Sequence, residues 1–254
     1  MINKRKLLSK KTIGAWISIP DAAIAEIFAN AGFDWVVIDL EHTTTSIQQA
    51  GELIRIIDLA GSIPLVRLTK NDKNLIKRVL DAGAQGIIVP NVVTREDAIR
   101  AVQATRYQPI GNRGVGLGRA QGYGSTFSEY YQWQKDDGPI VIAQIEDKSA
   151  LDNLNEIFTT QGIDGFIIGP YDLSCSMGIP GKFDNPEFII AVEIILKKAK
   201  NAKCPSGIHI VEPDINLLKS YAKKGYQLIA YGVDMRMLDL MARDGVSEFK
   251  KTKK

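Results

Sequence analysis

Asp21-Ala-Ala-Ile-Ala-Glu-Ile-Phe-Ala-Asn-Ala-Gly32, followed two residues later by Trp35-Val-Val-Ile-Asp39, is the stretch from which the fold can be read. The first run has helical periodicity, with an aspartate placed to cap its start and a glycine placed to end it. The second is a short apolar, β-branched run closed by a carboxylate, which is how a strand buried on both faces reads. The unit then repeats along the chain. Apolar runs of this kind occur at 13–19, 35–39, 64–68, 86–89, 140–146, 165–168, 206–210 and 228–232, and the glycine stop recurs at Asp81-Ala-Gly83 and Lys223-Lys-Gly225. Eight strands alternating with helices predict an α/β fold, the (β/α)8 TIM barrel, as a single domain over residues 1–254. The strand count disfavours an open doubly wound sheet.

Composition narrows the function classes. With 45% hydrophobic and 24% charged residues over 254 positions, the chain is neither disordered nor collagen-like. The formal charge of +3 belongs to two short basic ends, about 1–11 and 250–254. Nine of the 32 bases (Lys4, Arg5, Lys6, Lys10, Lys11, Lys250, Lys251, Lys253 and Lys254) lie there, leaving 23 bases against 29 acids in the body. An acidic body argues against a nucleic-acid partner. Cys175 and Cys204 form neither a CxxC pair nor a disulfide framework, and no run is long enough for a membrane span or a signal peptide. The expectation is a cytoplasmic protein with no membrane partner.

In a barrel of this type chemistry sits at the carboxyl ends of the strands. Those ends carry Asp39-Leu-Glu-His42, Arg67, Gln144-Ile-Glu146, Gly169-Pro-Tyr-Asp172 and His209. A single carboxylate there reads as a helix cap, and a lone arginine as an ion pair. Together they read as a site, since burying such groups without partners costs several kcal/mol. His209 stands between a substrate-facing group and a satisfied barrel-end imidazole. Glu146 and Asp172 end adjacent strands, and two hard oxygen ligands suit Mg²⁺, Mn²⁺ or Co²⁺ completed by water and substrate. A glycosidase would also pair two acids. The 7% aromatic content and the nearby Arg67 and His42 favour enolate chemistry instead, with cation and guanidinium holding negative charge on oxygen while the imidazole moves a proton. The long glycine-rich segment 107–124 reads as a binding loop. Its Gly114-Val-Gly-Leu-Gly118 lacks the spacing of a dinucleotide motif.

Seven segments in order, 31–42, 64–67, 79–85, 104–107, 113–116, 144–146 and 169–174, resemble the metal-dependent class II pyruvate aldolases of the 4-hydroxy-2-oxoheptanedioate and 2-dehydro-3-deoxyglucarate type. These belong to the phosphoenolpyruvate/pyruvate barrel superfamily with the citrate lyase β subunit. The resemblance implies reversible cleavage of a 4-hydroxy-2-oxo acid to pyruvate and an aldehyde. It places the divalent metal on Glu146 and Asp172, and the pyruvate carboxylate on Gln144 and the backbone amides of Tyr171 and Asp172. Arg67 would stabilise the enolate, and His42 would be the acid/base, with Asp81 raising its basicity. Asp81 ends a helix on the face away from the catalytic mouth, so it would reach His42 only across a subunit boundary of a homo-oligomer, dimer to hexamer. Three stretches depart from the family: Asp39-Leu-Glu-His-Thr-Thr44, Gly116-Leu-Gly-Arg-Ala-Gln-Gly-Tyr123 and Gly207-Ile-His-Ile-Val-Glu212. They are expected to line the aldehyde half, where His209 would meet substrate. The alternatives are a citrate synthase- or lyase-like enzyme, or a decarboxylase, acting on oxaloacetate for instance in siderophore supply, and a non-catalytic assembly subunit.

Overall fold

The structure, a computed structural model, describes residues 8–252. Of the basic ends, Lys4, Arg5, Lys6, Lys253 and Lys254 lie outside the described residues. Eight parallel strands close into a barrel in chain order. They are β1 Thr12–Ile17, β2 Trp35–Asp39, β3 Ile63–Arg67, β4 Gly86–Val89, β5 Ile140–Ile145, β6 Gly165–Ile168, β7 Ser206–Ile210 and β8 Leu228–Val233. This is the (β/α)8 barrel expected from the repeating unit, with every strand limit within two residues of the apolar run that marked it. Around it lie α1 Ala22–Asn30, α2 Ile47–Leu59, α3 Lys73–Asp81, α4 Arg95–Thr105, α5 Phe127–Asp136, α6 Leu154–Phe158, α7 Pro170–Ser176, α8 Pro186–Ala202, α9 Ile215–Lys224 and α10 Asp234–Lys251. Among the described residues no helix is long and apolar enough to cross a membrane.

Local chemistry sets these limits. Asp21 Oδ1 accepts from Ala23 N at 2.8 Å, and Gly32 takes the left-handed φ of 91° that turns the chain into β2. The Thr43-Thr44-Thr45 run after β2 does not start a helix. The Thr43 hydroxyl donates to the Asp39 carbonyl at 2.5 Å and accepts from Thr45 N, so it closes a turn instead. α2 opens after Ser46, where Ser46 and Gln49 form a reciprocal capping box.

The pleat divides each strand between two cores. Val36 and Ile38 point outward under the helices, whereas Trp35 and Val37 fill the barrel. A Cβ on Gly14 would lie 2.1 Å from the Trp35 ring, so the glycine on β1 makes room for the indole that fills the barrel.

The glycine-rich loop is fastened at the opposite end from the strand mouths. Arg113, buried, donates to Asp81 Oδ1 at 2.6 Å and to the Tyr130 hydroxyl at 3.1 Å, with its guanidinium 4.9 Å from the Tyr107 ring. Gln121 Nε2 donates to the Tyr107 hydroxyl at 2.7 Å and reaches the same Asp81 oxygen at 3.3 Å. Residues 116–123, expected to line the aldehyde half, therefore do not do so within their own chain. They pack on the C-terminal end of α3, which is the end where strands begin.

Candidate active site

Asp39 and Arg67 are register partners on neighbouring strands, and both face the barrel interior at its carboxyl end. That pairing places the guanidinium against the carboxylate: Nε donates to Asp39 Oδ1 at 2.8 Å and Nη2 to Oδ2 at 2.6 Å. Nη1 lies 3.2 Å from Glu41 Oε2, an ion pair without hydrogen-bond alignment. Burial lowers the Arg67 pKa, and the bonds and charges of Asp39, Glu41 and Glu146 outweigh it, leaving the group above its ordinary value. Arg67 is thus a fixed cation. For Glu41, burial, opposed by Arg67 and reinforced by Glu146, Asp39 and Asp172, pushes the carboxyl up to about 7.

Glu146 follows β5 directly and is buried. Its Oε1 accepts from the backbone N–H of Asn91 at 2.6 Å, which is possible because Asn91 takes a left-handed φ of 49°. Its Oε2 accepts from Gln144 Nε2. Burial raises the Glu146 pKa against those two bonds, and the Asp172 charge adds to the rise. Just after β6 the chain leaves space for this carboxylate, since a Cβ on Gly169 would lie 2.8 Å from Glu146 Oε2. Asp172 is exposed on the first turn of α7.

Asp39, His42, Arg67, Gln144, Tyr171, Asp172 and His209 line one cavity of about 280 Å³, with Trp16 and Arg236. His42 is mostly exposed there, its Nε2 4.0 Å from Glu41 Oε2. His209 points into the barrel and stacks on Trp16, with ring centroids 4.3 Å apart and planes inclined by 18°. Burial, then the nearby Arg67 charge, hold its pKa down to about 3, so the ring is neutral. Arg236 at the rim is engaged by Glu212 at 2.7 and 3.0 Å and by Asp239 at 2.6 Å. Glu146 is not itself among the lining residues and meets the cavity wall through Gln144, and Asp81 sits with Arg113 at the other end of the barrel.

Asp39, Glu41, Glu146 and Asp172 surround a single Arg67, and burial with mutual repulsion raises two of the four. A divalent cation would offset that excess of negative charge. Among the described residues no group of three or more His, Cys, Asp or Glu is arranged to hold a metal. Two carboxylates therefore leave most of a coordination shell to water and substrate.

The sequence profile of the HpcH/HpaI aldolase/citrate lyase family matches residues 12–239. The chain belongs to that family. Among its relatives is the 2-keto-3-deoxy-L-rhamnonate aldolase of Escherichia coli K12, 40% identical over 224 residues, which are 87% of this chain and 82% of the relative. Among solved structures, an HpcH/HpaI aldolase/citrate lyase family protein from Burkholderia cenocepacia J2315 matches with a TM-score of 0.90 and 32% identity, covering 97% of this chain and 98% of that one. The citrate synthase SbnG matches with a TM-score of 0.86 and 28% identity over 98% and 97% of the two chains. As an HpcH/HpaI aldolase/citrate lyase family member, the protein is a carbon–carbon lyase of the aldolase type.

Sequence reasoning missed the residues that hold this family's site together here. Trp16 reads as one more apolar strand residue, and Asn91 supplies only its backbone. Asp234, buried, ties β1 to α10 by accepting from Ser18 N and Ile19 N, and it reads as a helix cap. Strand alternation was the available signal: Trp16 and His209 occupy inward positions near the carboxyl ends of β1 and β7.

Proposed function

We propose that the protein interconverts a 4-hydroxy-2-oxo acid with pyruvate and an aldehyde, with a divalent cation on Glu146 and Asp172. The observation that carries this reading is the Glu146 carboxylate, fixed by Asn91 and Gln144, kept clear by Gly169, and hydrogen-bonded to Gln144 in the wall of the cavity that also holds Arg67 and His42. Mg²⁺, Mn²⁺ or Co²⁺ bound there would supply a Lewis acid for the 2-oxo group. Arg67, held by Asp39, would stabilise negative charge developing on that oxygen. The N–H groups of Tyr171 and Asp172 open α7 and would take the carboxylate, with Gln144 beside them. In cleavage His42 would accept the 4-hydroxyl proton as the C3–C4 bond breaks, and that electron pair becomes the enolate whose C3 is then protonated. Its exposure suits exchange with solvent, and Asp81 would raise its basicity only from a second copy in a homo-oligomer. The relative's name supports a 2-keto-3-deoxy sugar acid as substrate.

In D₂O with Mn²⁺ or Co²⁺ the protein should exchange the methyl protons of pyruvate, read by NMR. EDTA should abolish the exchange, and His42→Ala should slow it at least about 100-fold. No exchange with any metal would sink the reading. The likeness to SbnG supports a second reading, condensation on oxaloacetate, scored by release of thiol from acetyl-CoA. Against it, the aldolase reading already assigns Arg67 to the 2-oxo oxygen, and Arg236 is paired with Glu212 and Asp239, so neither guanidinium is left for a second substrate carboxylate.

A further inference from the structure

Two nitrogens in the cavity wall are buried without a hydrogen-bond partner: Trp16 Nε1 and His209 Nε2. A buried polar atom left so costs about as much as a lost hydrogen bond, so each marks a place for a ligand group. Below them there is no polar partner to find. Trp16 belongs to the barrel-filling cluster with Trp35, Val37 and Ile167, and the register partner of His209 is Ala230. The partner has to come from the cavity above.

The chemistry of the two atoms is complementary. An indole N–H only donates. His209 uses its other ring nitrogen in a hydrogen bond to the Gly232 backbone, so the free Nε2 of the neutral ring only accepts. The two rings, on β1 and β7, stack with centroids 4.3 Å apart, away from Glu146 after β5. A hydroxyl accepts one bond and donates one. A carboxylate would meet the imidazole lone pair and be repelled, and a methyl group would leave both nitrogens unpaired.

We propose that Trp16 and His209 form a hydroxyl-binding subsite that makes the enzyme selective for neutral hydroxyaldehydes as the partner of pyruvate. This deepens the aldolase reading and rests on it.

The test uses the full chain with Mn²⁺ and pyruvate, and compares kcat/KM for lactaldehyde, propionaldehyde and succinic semialdehyde. Lactaldehyde should exceed each of the others by about 10-fold or more. His209→Leu and Trp16→Phe should each lower the lactaldehyde-to-propionaldehyde ratio by about 10- to 100-fold, whereas His209→Gln, which keeps an acceptor, should restore most of it. An unchanged ratio in both variants, or equal losses on the two aldehydes, overturns the subsite and means that the nitrogens hold only water. Wild-type protein that exchanges pyruvate protons without any hydroxyl preference overturns the subsite and leaves the aldolase standing. Absence of exchange overturns both.

Discussion

His209 and Glu41 both feel the charge of Arg67 and titrate in opposite senses. An unfolded imidazole takes its proton near pH 6.5, whereas folded His209 is held down to about 3. Between those values the unfolded chain binds the extra proton, so stability present above pH 6.5 is lost as the pH falls. Glu41 behaves the other way. Its folded value of about 7 stands above the ordinary 4.5, so its contribution is complete below pH 4.5 and is lost as the pH rises through 7. In urea unfolding of the metal-free protein, going from pH 6.5 to pH 5 should cost the wild type up to about 2 kcal/mol more than His209→Leu. Glu41→Gln should gain stability relative to wild type as the pH rises from 5 to 7. Parallel pH profiles for wild type and His209→Leu would show an imidazole that titrates like an exposed one. Neither behaviour is visible in the residue names. The strand-end position of His209 is readable from alternation, but its neutrality depends first on burial in the closed barrel and then on Arg67, which lies 142 positions earlier in the chain.

Elements were readable wherever one side chain decided the outcome locally. Asp21 starts α1 and Gly32 ends it, because a cap and a left-handed turn depend on a few consecutive residues. The loop 107–124 was not readable in this way. Its glycines advertise flexibility, yet three of its side chains are tied: Arg113 and Gln121 to Asp81, and Arg119 to Asp58. Gly118 shows what the glycines are for. A Cβ there would lie 2.6 Å from the Asp81 carbonyl oxygen, so the loop can lie on α3 only with hydrogen at that position. Gly118→Ala should cost about 1–3 kcal/mol, lowering Tm by several degrees. Gly245 in α10 meets nothing within 4 Å, and Gly245→Ala should stabilise by up to about 1 kcal/mol. Calorimetry of the two variants separates close contact from simple helix propensity. If Gly118→Ala melts with the wild type, the loop does not bear on α3.

At the scale of the whole molecule, α10 and Asp81 pose one problem. α10 runs for 18 residues, and Asp234 is its only buried residue. Leu238, Met241 and Val246 are 67%, 73% and 54% exposed, and at 3.6 residues per turn they fall on one side of the helix. An exposed apolar stripe of that kind is suited to contact with another molecule. Asp81, meanwhile, is at the wrong end of its own barrel to help its own His42. The proposed homo-oligomer would answer both, by covering α10 and bringing one copy's Asp81 toward another's mouth. Light scattering should therefore give the wild type a mass that is a multiple of 28.0 kDa, and the pair Leu238→Glu and Met241→Glu should shift it toward the monomer with unchanged far-UV circular dichroism. Pyruvate proton exchange should fall with the dissociation, because the monomer retains Glu146, Arg67 and His42 but loses the outside carboxylate. Asp81→Asn should lower exchange in the assembled enzyme by about 10-fold and have no further effect in the dissociated one. A monomeric wild type, or an Asp81→Asn effect that persists after dissociation, would remove Asp81 from the site.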